Sequence, residues 1–431
     1  MNKIIVFGFI FLSLFAFGQQ KTMTLEDCIQ YAIDNDLTLK ENKLNQEISQ
    51  NEITASYGKL MPAGALYADH QYNFGSVIDP TTNARISSDI RSNSFGFSAN
   101  VELFNWGNFI QIKSAKLKKD KSKYDFEVKK NELIIKIVQS FQQIQYDKEQ
   151  IELIEKQLAN TEIMLNRIET EFNLGNKAKS DVYEMLANKA VEEQMLVLAQ
   201  NAFKTSNIKL LNLLNLEGMI EFIGQTDFLL LSLTDSLTNL YQEGLQNRPE
   251  IKSAEIQTKI SEKNIQIQKS NYLPRISGNY SLSTFYVDIE TASFRDQLRN
   301  NKNHYLGLSL NIPVFNRLQT RTAVQNAKIE SEQINLQLEQ QKQAYFNALR
   351  EAMNFAQNAA QNHDAAQKNV AAQEISFSKT EEKFKLGMID AYAYFAAKNS
   401  LLAAQSELLQ AKFNCNYRLI LLKYYLTNEV L

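Results

Sequence analysis

Residue n of this chain matches residue n+212 along most of its length, and that internal duplication constrains the fold more than any single motif does. Leu25 faces Leu237, Leu60-Met61-Pro62 faces Tyr272-Leu273-Pro274, and Phe172-Asn173-Leu174-Gly175 faces Phe384-Lys385-Leu386-Gly387. The offset slips to 211 where Phe104-Asn105 meets Phe315-Asn316, then returns to 212 at Ala115-Lys116 and Ala327-Lys328. After a leader at 1–18, the chain therefore reads as two tandem repeats, 19–218 and 236–431, joined by a segment at 219–235.

Each repeat carries the same plan. A short helix (25–35, 237–247) precedes a second helix that Pro62 or Pro274 stops, because proline lacks the N–H and fixes φ. A β-hairpin follows, with strands 62–74 and 94–104 in the first repeat and 274–286 and 304–314 in the second. Then come a very long helix (107–172, 318–384), a Leu-Gly turn, and a closing helix (178–215, 388–427). Only 14 glycines and 5 prolines in 431 residues agree with long helices rather than many tight turns. At 1.5 Å per residue each long helix would run about 100 Å. Ile137, Ile144, Ile151, Leu158, Leu165 and Phe172 recur every seven residues, the spacing of a seam against a neighbouring helix. The second copy replaces this seam with Ala344, Ala348, Ala352, Ala356, Ala359 and Ala360, which permits close approach.

The leader has one lysine, an apolar run from Ile4 to Phe17 and small residues ending at Gly18, so a cleaved Sec signal peptide is expected. Its 14 or so apolar residues fall short of the roughly 20 that cross a bilayer as a helix. No cysteine stands at the cleavage point, and Cys28 and Cys415 share no metal-type spacing. With 46 basic and 48 acidic residues, net −2, nothing favours a nucleic-acid surface. No apolar run of 18 residues follows the leader, which excludes a helical membrane protein but not a β-barrel, whose strands alternate sides.

The strands decide between a duct and a rod. Phe95, Phe97, Ala99, Val101 and Leu103 alternate with Ser94, Gly96, Ser98, Asn100 and Glu102. In the second copy Leu306, Leu308, Leu310, Ile312 and Val314 alternate with Gly307, Ser309, Asn311 and Pro313. Strands of about 11 residues cross a bilayer when tilted, so the apolar sets are candidates for lipid contact. Four strands cannot close a barrel, and an open edge in lipid costs several kcal/mol per unpaired backbone group, so membrane strands would force oligomerisation. Two protomers would give 8 strands and three would give 12. Phe104, Trp106, Phe109 and Phe315 at one end and Tyr72, Phe74, Phe285, Tyr286 and Tyr305 at the other would serve as interfacial aromatics. The polar loops 75–93 and 287–303 would face outside.

The duplicated plan, Leu60-Met61-Pro62 with Leu273-Pro274, the strand-to-helix run Asn311-Ile312-Pro313-Val314-Phe315-Asn316 and the Phe-x-Leu-Gly turns resemble the TolC family of outer-membrane efflux proteins. The resemblance spans essentially the whole chain after the leader. It implies a homotrimer with a 12-stranded outer-membrane barrel in lipid and a long helical tunnel across the periplasm. Such a trimer acts as the exit duct for an inner-membrane transporter reached through a periplasmic adaptor. It implies further that Leu174, Gly175, Leu386 and Gly387 form the periplasmic mouth and meet the adaptor. Asp181 and Glu184 stand one turn beyond the first mouth turn and become pore-lining candidates. Where some relatives carry a basic and two acidic residues after the second turn, this chain has Ile389, Ala393 and Ala396, and a gating tyrosine is replaced by Phe384. The resemblance therefore implies a more apolar closure around Phe384, Tyr392, Tyr394 and Phe395, with Asp390 as the nearest charge.

No nucleotide-binding motif and no paired His-Glu spacing occurs, and His70, His304 and His363 lie in separate segments, so neither an enzyme, a cofactor nor a metal centre is expected. Two readings compete with a drug or ion exit duct: the outer-membrane component of type I protein secretion, and a soluble periplasmic coiled-coil scaffold. The scaffold leaves the lipid-length alternating strands unexplained.

Overall fold

The computed structural model describes residues 21–78, 82–87, 89–218, 220–224 and 237–427. The leader expected at 1–18 and most of the joining segment 219–235 lie outside the described residues. In chain order the first half contains β1 (Lys21–Met23), α1 (Leu25–Asn35), α2 (Leu37–Gly58), β2 (Ala63–Asn73), β3 (Ser76–Ile78), β4 (Arg85–Ser87), β5 (Ile90–Phe104), α3 (Trp106–Asn173), α4 (Lys179–Leu214) and β6 (Ile220–Phe222). The second half contains α5 (Leu237–Asn247), α6 (Pro249–Ser270), β7 (Arg275–Val287), α7 (Phe294–Asn300), β8 (Asn303–Asn311), α8 (Gln319–Lys385) and α9 (Ala391–Thr427).

Local chemistry sets the helix starts. Thr24 and Asp27 form a reciprocal capping box on α1, Asp36 accepts the Leu39 N–H at 2.8 Å to start α2, and Asn105 accepts the Gly107 N–H at 3.0 Å to start α3. The prolines act earlier than the sequence reading places them: α2 and α6 stop at Gly58 and Ser270, not at Pro62 and Pro274. A residue before proline is driven out of the helical region, so the chain must leave the helix beforehand.

The two long helices, 68 and 67 residues, run from the sheet to the Leu-Gly turns. Near the sheet the side-by-side order is α2, α3, α6, α8; towards the Leu-Gly turns it is α4, α3, α9, α8. Where α6 gives way to α9, two cores form a belt. One joins Cys28 and Ala32 of α1 to Ile137, Phe141 and Ile144 of α3, Leu210 of α4 and Phe222 of β6, while β1 pairs in parallel with β6. The other joins Ile251 of α6 to Tyr345, Leu349, Ala352 and Ala356 of α8 and Leu422 of α9. The α8 seam runs through Tyr345, Leu349, Ala352, Ala356, Ala359, Ala366 and Val370; Ala344 and Ala360, expected in it, are exposed on adjoining faces.

Four strands form one open antiparallel sheet in the order β2-β5-β7-β8, with β2 and β8 as free edges. Strand β8 stops at Asn311, so Ile312 and Val314 lie beyond it rather than inside a strand reaching 314. Pro313 has no N–H to give a ladder, and the chain turns sharply through Arg317 and Leu318, both in the left-handed region at φ 55° and 64°, before α8 begins. The loops expected to be merely polar contain structure of their own: the β3–β4 hairpin in the first half and the helix α7 in the second.

Candidate functional site

Register turns the alternating sequences into two unlike faces. Leu66 pairs with Phe97, Phe97 with Leu282, Ala99 with Tyr280, and Tyr280 with Leu306, while Val101 pairs with Gly278 and Gly278 with Leu308. Cross-strand partners share a face, so Leu66, Phe95, Phe97, Val101, Leu282, Leu306, Leu308 and Leu310 make one apolar surface across all four strands. Leu66, Leu306 and Leu308 are 84%, 81% and 78% exposed in the single chain. Leu103 falls at a bulge between Glu102 and Phe104 and keeps its side chain against Val101's neighbourhood near Gly278. The opposite face carries Ser94, Ser98, Asn100, Asn279, Ser281 and Ser309, with the Tyr67 ring over Gly96 and Tyr305 over Gly307. At the helix end of the sheet Trp106 lies 6.2 Å from Phe109, and Phe104, Trp106 and Phe315 are all exposed.

At the other end of the molecule the two turns share one geometry. Gly175 and Gly387 sit at φ 79° and 71°, the left-handed position that closes a helix without cost for glycine. The Asn176 N–H donates to the Glu171 carbonyl at 2.9 Å, and the Met388 N–H donates to the Lys383 carbonyl at 2.9 Å. Leu174, Leu386 and Met388 are exposed at the tips, as are Tyr183 and Tyr392 on the helices that follow. Asp181 and Glu184 are half-buried on the first turns of α4. Asp390 is exposed, but its carboxylate is committed to capping α9, accepting the Ala393 N–H at 2.9 Å.

The sequence places an apolar closure around Phe384, Tyr394 and Phe395, with Tyr392 beside them. Phe384, Tyr394 and Phe395 are buried inside the protomer with Met164, Leu165, Ile168, Met185 and Ala391, and the Phe384 ring stacks on Tyr394 at 4.7 Å. Burial also pushes the Tyr394 hydroxyl above the usual tyrosine value.

One turn further from the tips lies a site that sequence reasoning missed. Lys398 of α9 and Glu192 of α4 form an ion pair at 2.7 Å with side chains 1% and 4% exposed. Thr161 of α3 bonds both partners, and the Lys398 ammonium also donates to the Gln157 carbonyl at 3.1 Å. Burial pulls the lysine below its ordinary value, with Glu192 opposing the shift. The signal was present in α9: Ala391, Tyr394, Lys398 and Leu401 recur at helical spacing, so a lysine stands in an apolar stripe. The network joins three helices drawn from both halves.

Between these features a cleft of about 860 Å³ opens among α3, α8 and α9, lined by amides including Gln139, Gln142, Gln143, Asn362, Asn369 and Gln410. Among the described residues no cluster of His, Cys, Asp and Glu could hold a metal, both cysteines are free and buried, and no helix is long and apolar enough to cross a membrane.

Comparison with known proteins gives the same direction. The family model described as outer membrane efflux protein matches residues 28–216 and 240–425, one match in each half. The chain is 23% identical over 332 residues to the pyoverdine export outer membrane protein OpmQ of Pseudomonas putida, covering 77% of this chain and 68% of that protein. It is 21% identical to the proteases secretion protein PrtF of Dickeya chrysanthemi, covering 93% and 88%. Among solved structures, CusC aligns with a TM-score of 0.81 at 18% identity, covering 93% of this chain and 91% of that one. The outer-membrane channel OprN aligns at 0.78 and 16%, covering 94% and 90%.

Proposed function

Because the chain belongs to the outer membrane efflux protein family, we propose that it works as the passive exit duct of a tripartite efflux system. Three copies would close their sheets into a 12-stranded barrel in the outer membrane and their helices into a periplasmic tunnel. The observation that carries this reading is the continuous apolar face of an open sheet, with β2 and β8 left unpaired at its edges. Strands of 9 to 15 residues are long enough to cross the apolar layer when tilted. In lipid the free edges must find partners, and a second and third copy of the same sheet supply them. The small, polar opposite face would then line a wet lumen.

The helical part supports the same assembly. Leu44 and Ile48 of α2 and Val197 and Leu198 of α4 are exposed along one lateral edge, and Ile329, Leu336 and Ile375 of α8 along the other. Joining these edges between protomers removes both from water. The exposed Leu174, Leu386 and Met388 at the glycine turns suit the apolar side of an adaptor's helical hairpins, through which an inner-membrane transporter would deliver cargo. Asp181, Glu184, Phe384, Asp390 and Tyr392 stand close to such a mouth in sequence and remain its constriction candidates. A second reading, export of proteins rather than small molecules, is favoured by the likeness to PrtF along almost the whole chain.

The test is the native mass of protein extracted from outer membranes, corrected for bound detergent, with disulfide cross-linking of Leu66→Cys on β2 to Leu308→Cys on β8, two positions on the same face of the sheet. A trimer linked between protomers is expected. A water-soluble monomer would make the apolar face a covered core surface and end the duct reading. A deletion strain separates the two cargo readings, through retained small toxic compounds or through proteins no longer secreted.

A further inference from the structure

The loop between β7 and β8 contributes a helix whose position is informative. Along β7, Tyr280, Leu282, Thr284 and Tyr286 share one face, and the pairing of Thr284 with Phe95 and of Leu282 with Phe97 assigns that face to the apolar side. Helix α7 is fastened to this side at the end far from the long helices. Its Phe294 ring meets Tyr286 at 5.0 Å and Phe95 edge-on at 6.3 Å. The Thr284 hydroxyl donates to the Leu298 carbonyl at 2.7 Å. Gln297, only 1% exposed, takes the Val287 N–H on its carbonyl and donates to the Val287 and Ala292 carbonyls. A helix that plugged the lumen would sit on the serine-rich face; this one is held on the other.

With Phe294, Gln297 and Leu298 turned to the sheet, Arg295 and Arg299 lie one turn apart on the outward flank, and Lys302 follows; all three are exposed. The nearby acids are largely engaged. Asp296 closes the helix start with Ser293 at 2.7 Å and stands 3.6 Å from Arg299, and Asp288 pairs with Arg91 at 3.7 Å while accepting the Arg91 N–H. Glu290 is the remaining carboxylate of the loop. A short amphipathic helix with a half-exposed aromatic and a cationic flank, fixed at the rim of an apolar surface, has the character of an interfacial element. Guanidinium groups bind phosphate oxygens through paired hydrogen bonds.

We propose that α7 is a lipid-binding collar: Arg295, Arg299 and Lys302 hold the phosphorylated headgroups of outer-leaflet lipid against the barrel rim. The proposal rests on the exit-duct reading, because it takes the apolar sheet face as lipid-facing. Its test is the thermal midpoint of the detergent-purified full chain with diphosphorylated lipid A, with dephosphorylated lipid A, or with inorganic phosphate. Diphosphorylated lipid A is expected to raise the midpoint of the unaltered protein, and the other two are not. Arg295→Ala with Arg299→Ala and Lys302→Ala should abolish most of that shift, while Arg295→Lys with Arg299→Lys should retain part of it. Equal shifts in the alanine variant and the unaltered protein overturn the proposal, as does inorganic phosphate reproducing the lipid effect. Both variants should still be trimers from the outer membrane; a trimer indifferent to lipid A defeats the collar alone, whereas a soluble chain defeats the duct.

Discussion

Helices α3 and α8 hold equivalent places in the two halves, yet they are buried by different means. Helix α3 lies between α4 and α9 at one end and α2 and α6 at the other, and it buries Asn131, Asp147, Gln157 and Thr161 among its isoleucines. Helix α8 meets α9 and α6 through Tyr345, Leu349 and a run of alanines. Alanines let two backbones approach closely and make shape the determinant of register. Polar groups inside a helical layer instead require specific partners, because each must be hydrogen-bonded once out of water. The duplicated phenylalanines make the same point: Phe172 is 36% exposed at the end of α3, while Phe384, 212 residues on, is 2% exposed in the core of the mouth. One backbone plan thus carries a polar interlock around α3 and a close-packed alanine seam along α8.

The largest expected effect removes the interlock. Lys398→Met leaves the Glu192 carboxylate buried without its cation and should cost about 3–5 kcal/mol, read as a lowered denaturation midpoint. Adding Glu192→Leu should recover most of the loss; a mild single variant would mean that solvent reaches the pair. The alanine seam comes next. Ala356→Leu should destabilise by about 1–3 kcal/mol through overpacking, while Ala360→Leu on the exposed face should stay within about 0.5 kcal/mol; equal costs would dissolve the distinction between the two faces.

Where the halves agree, so should the variants. Gly175→Ala and Gly387→Ala each place a Cβ at positive φ and should cost about 1–2 kcal/mol apiece, with no clash in either turn because nothing lies within 4 Å of the added carbon. Unequal unfolding midpoints would show that one turn carries a further constraint. The smallest effect concerns the thiols. Burial pushes Cys28 up to about 12 from an ordinary value of 9.0 and raises Cys415 as well. Both should resist alkylation at pH 8 until the protein unfolds. An unfolded thiol ionises near pH 9 while the folded one stays protonated, so Cys28's contribution to stability is intact below that pH and declines between about 9 and 12. Rapid labelling of the native protein would contradict its burial.

Much of this architecture follows from short-range pattern. The alternation around Phe97 and Leu308 dictates which side chains share a face once two strands pair, because the strand period is two. Thr24, Asp36 and Asn105 announce helix starts through the hydrogen bonds their side chains offer, and the Phe-x-Leu-Gly runs announce the turns. Alanine was the ambiguous letter: its small apolar side chain suits a seam or a wet face, so Ala344 and Ala360 read like Ala352 and Ala356 although only the latter are buried.

The sequence by itself determined the long helices, the glycine turns and the two-faced strands, since each depends on neighbours within a few residues. The tertiary structure alone decided that Lys398 meets Glu192 across 206 residues of chain, that Phe384 faces inward, and that α7 folds back on the apolar rim. These outcomes depend on which helices and strands lie side by side, and a local period carries no record of that choice. Charge and apolarity tell a residue what partner it needs, but only the assembled layers supply one.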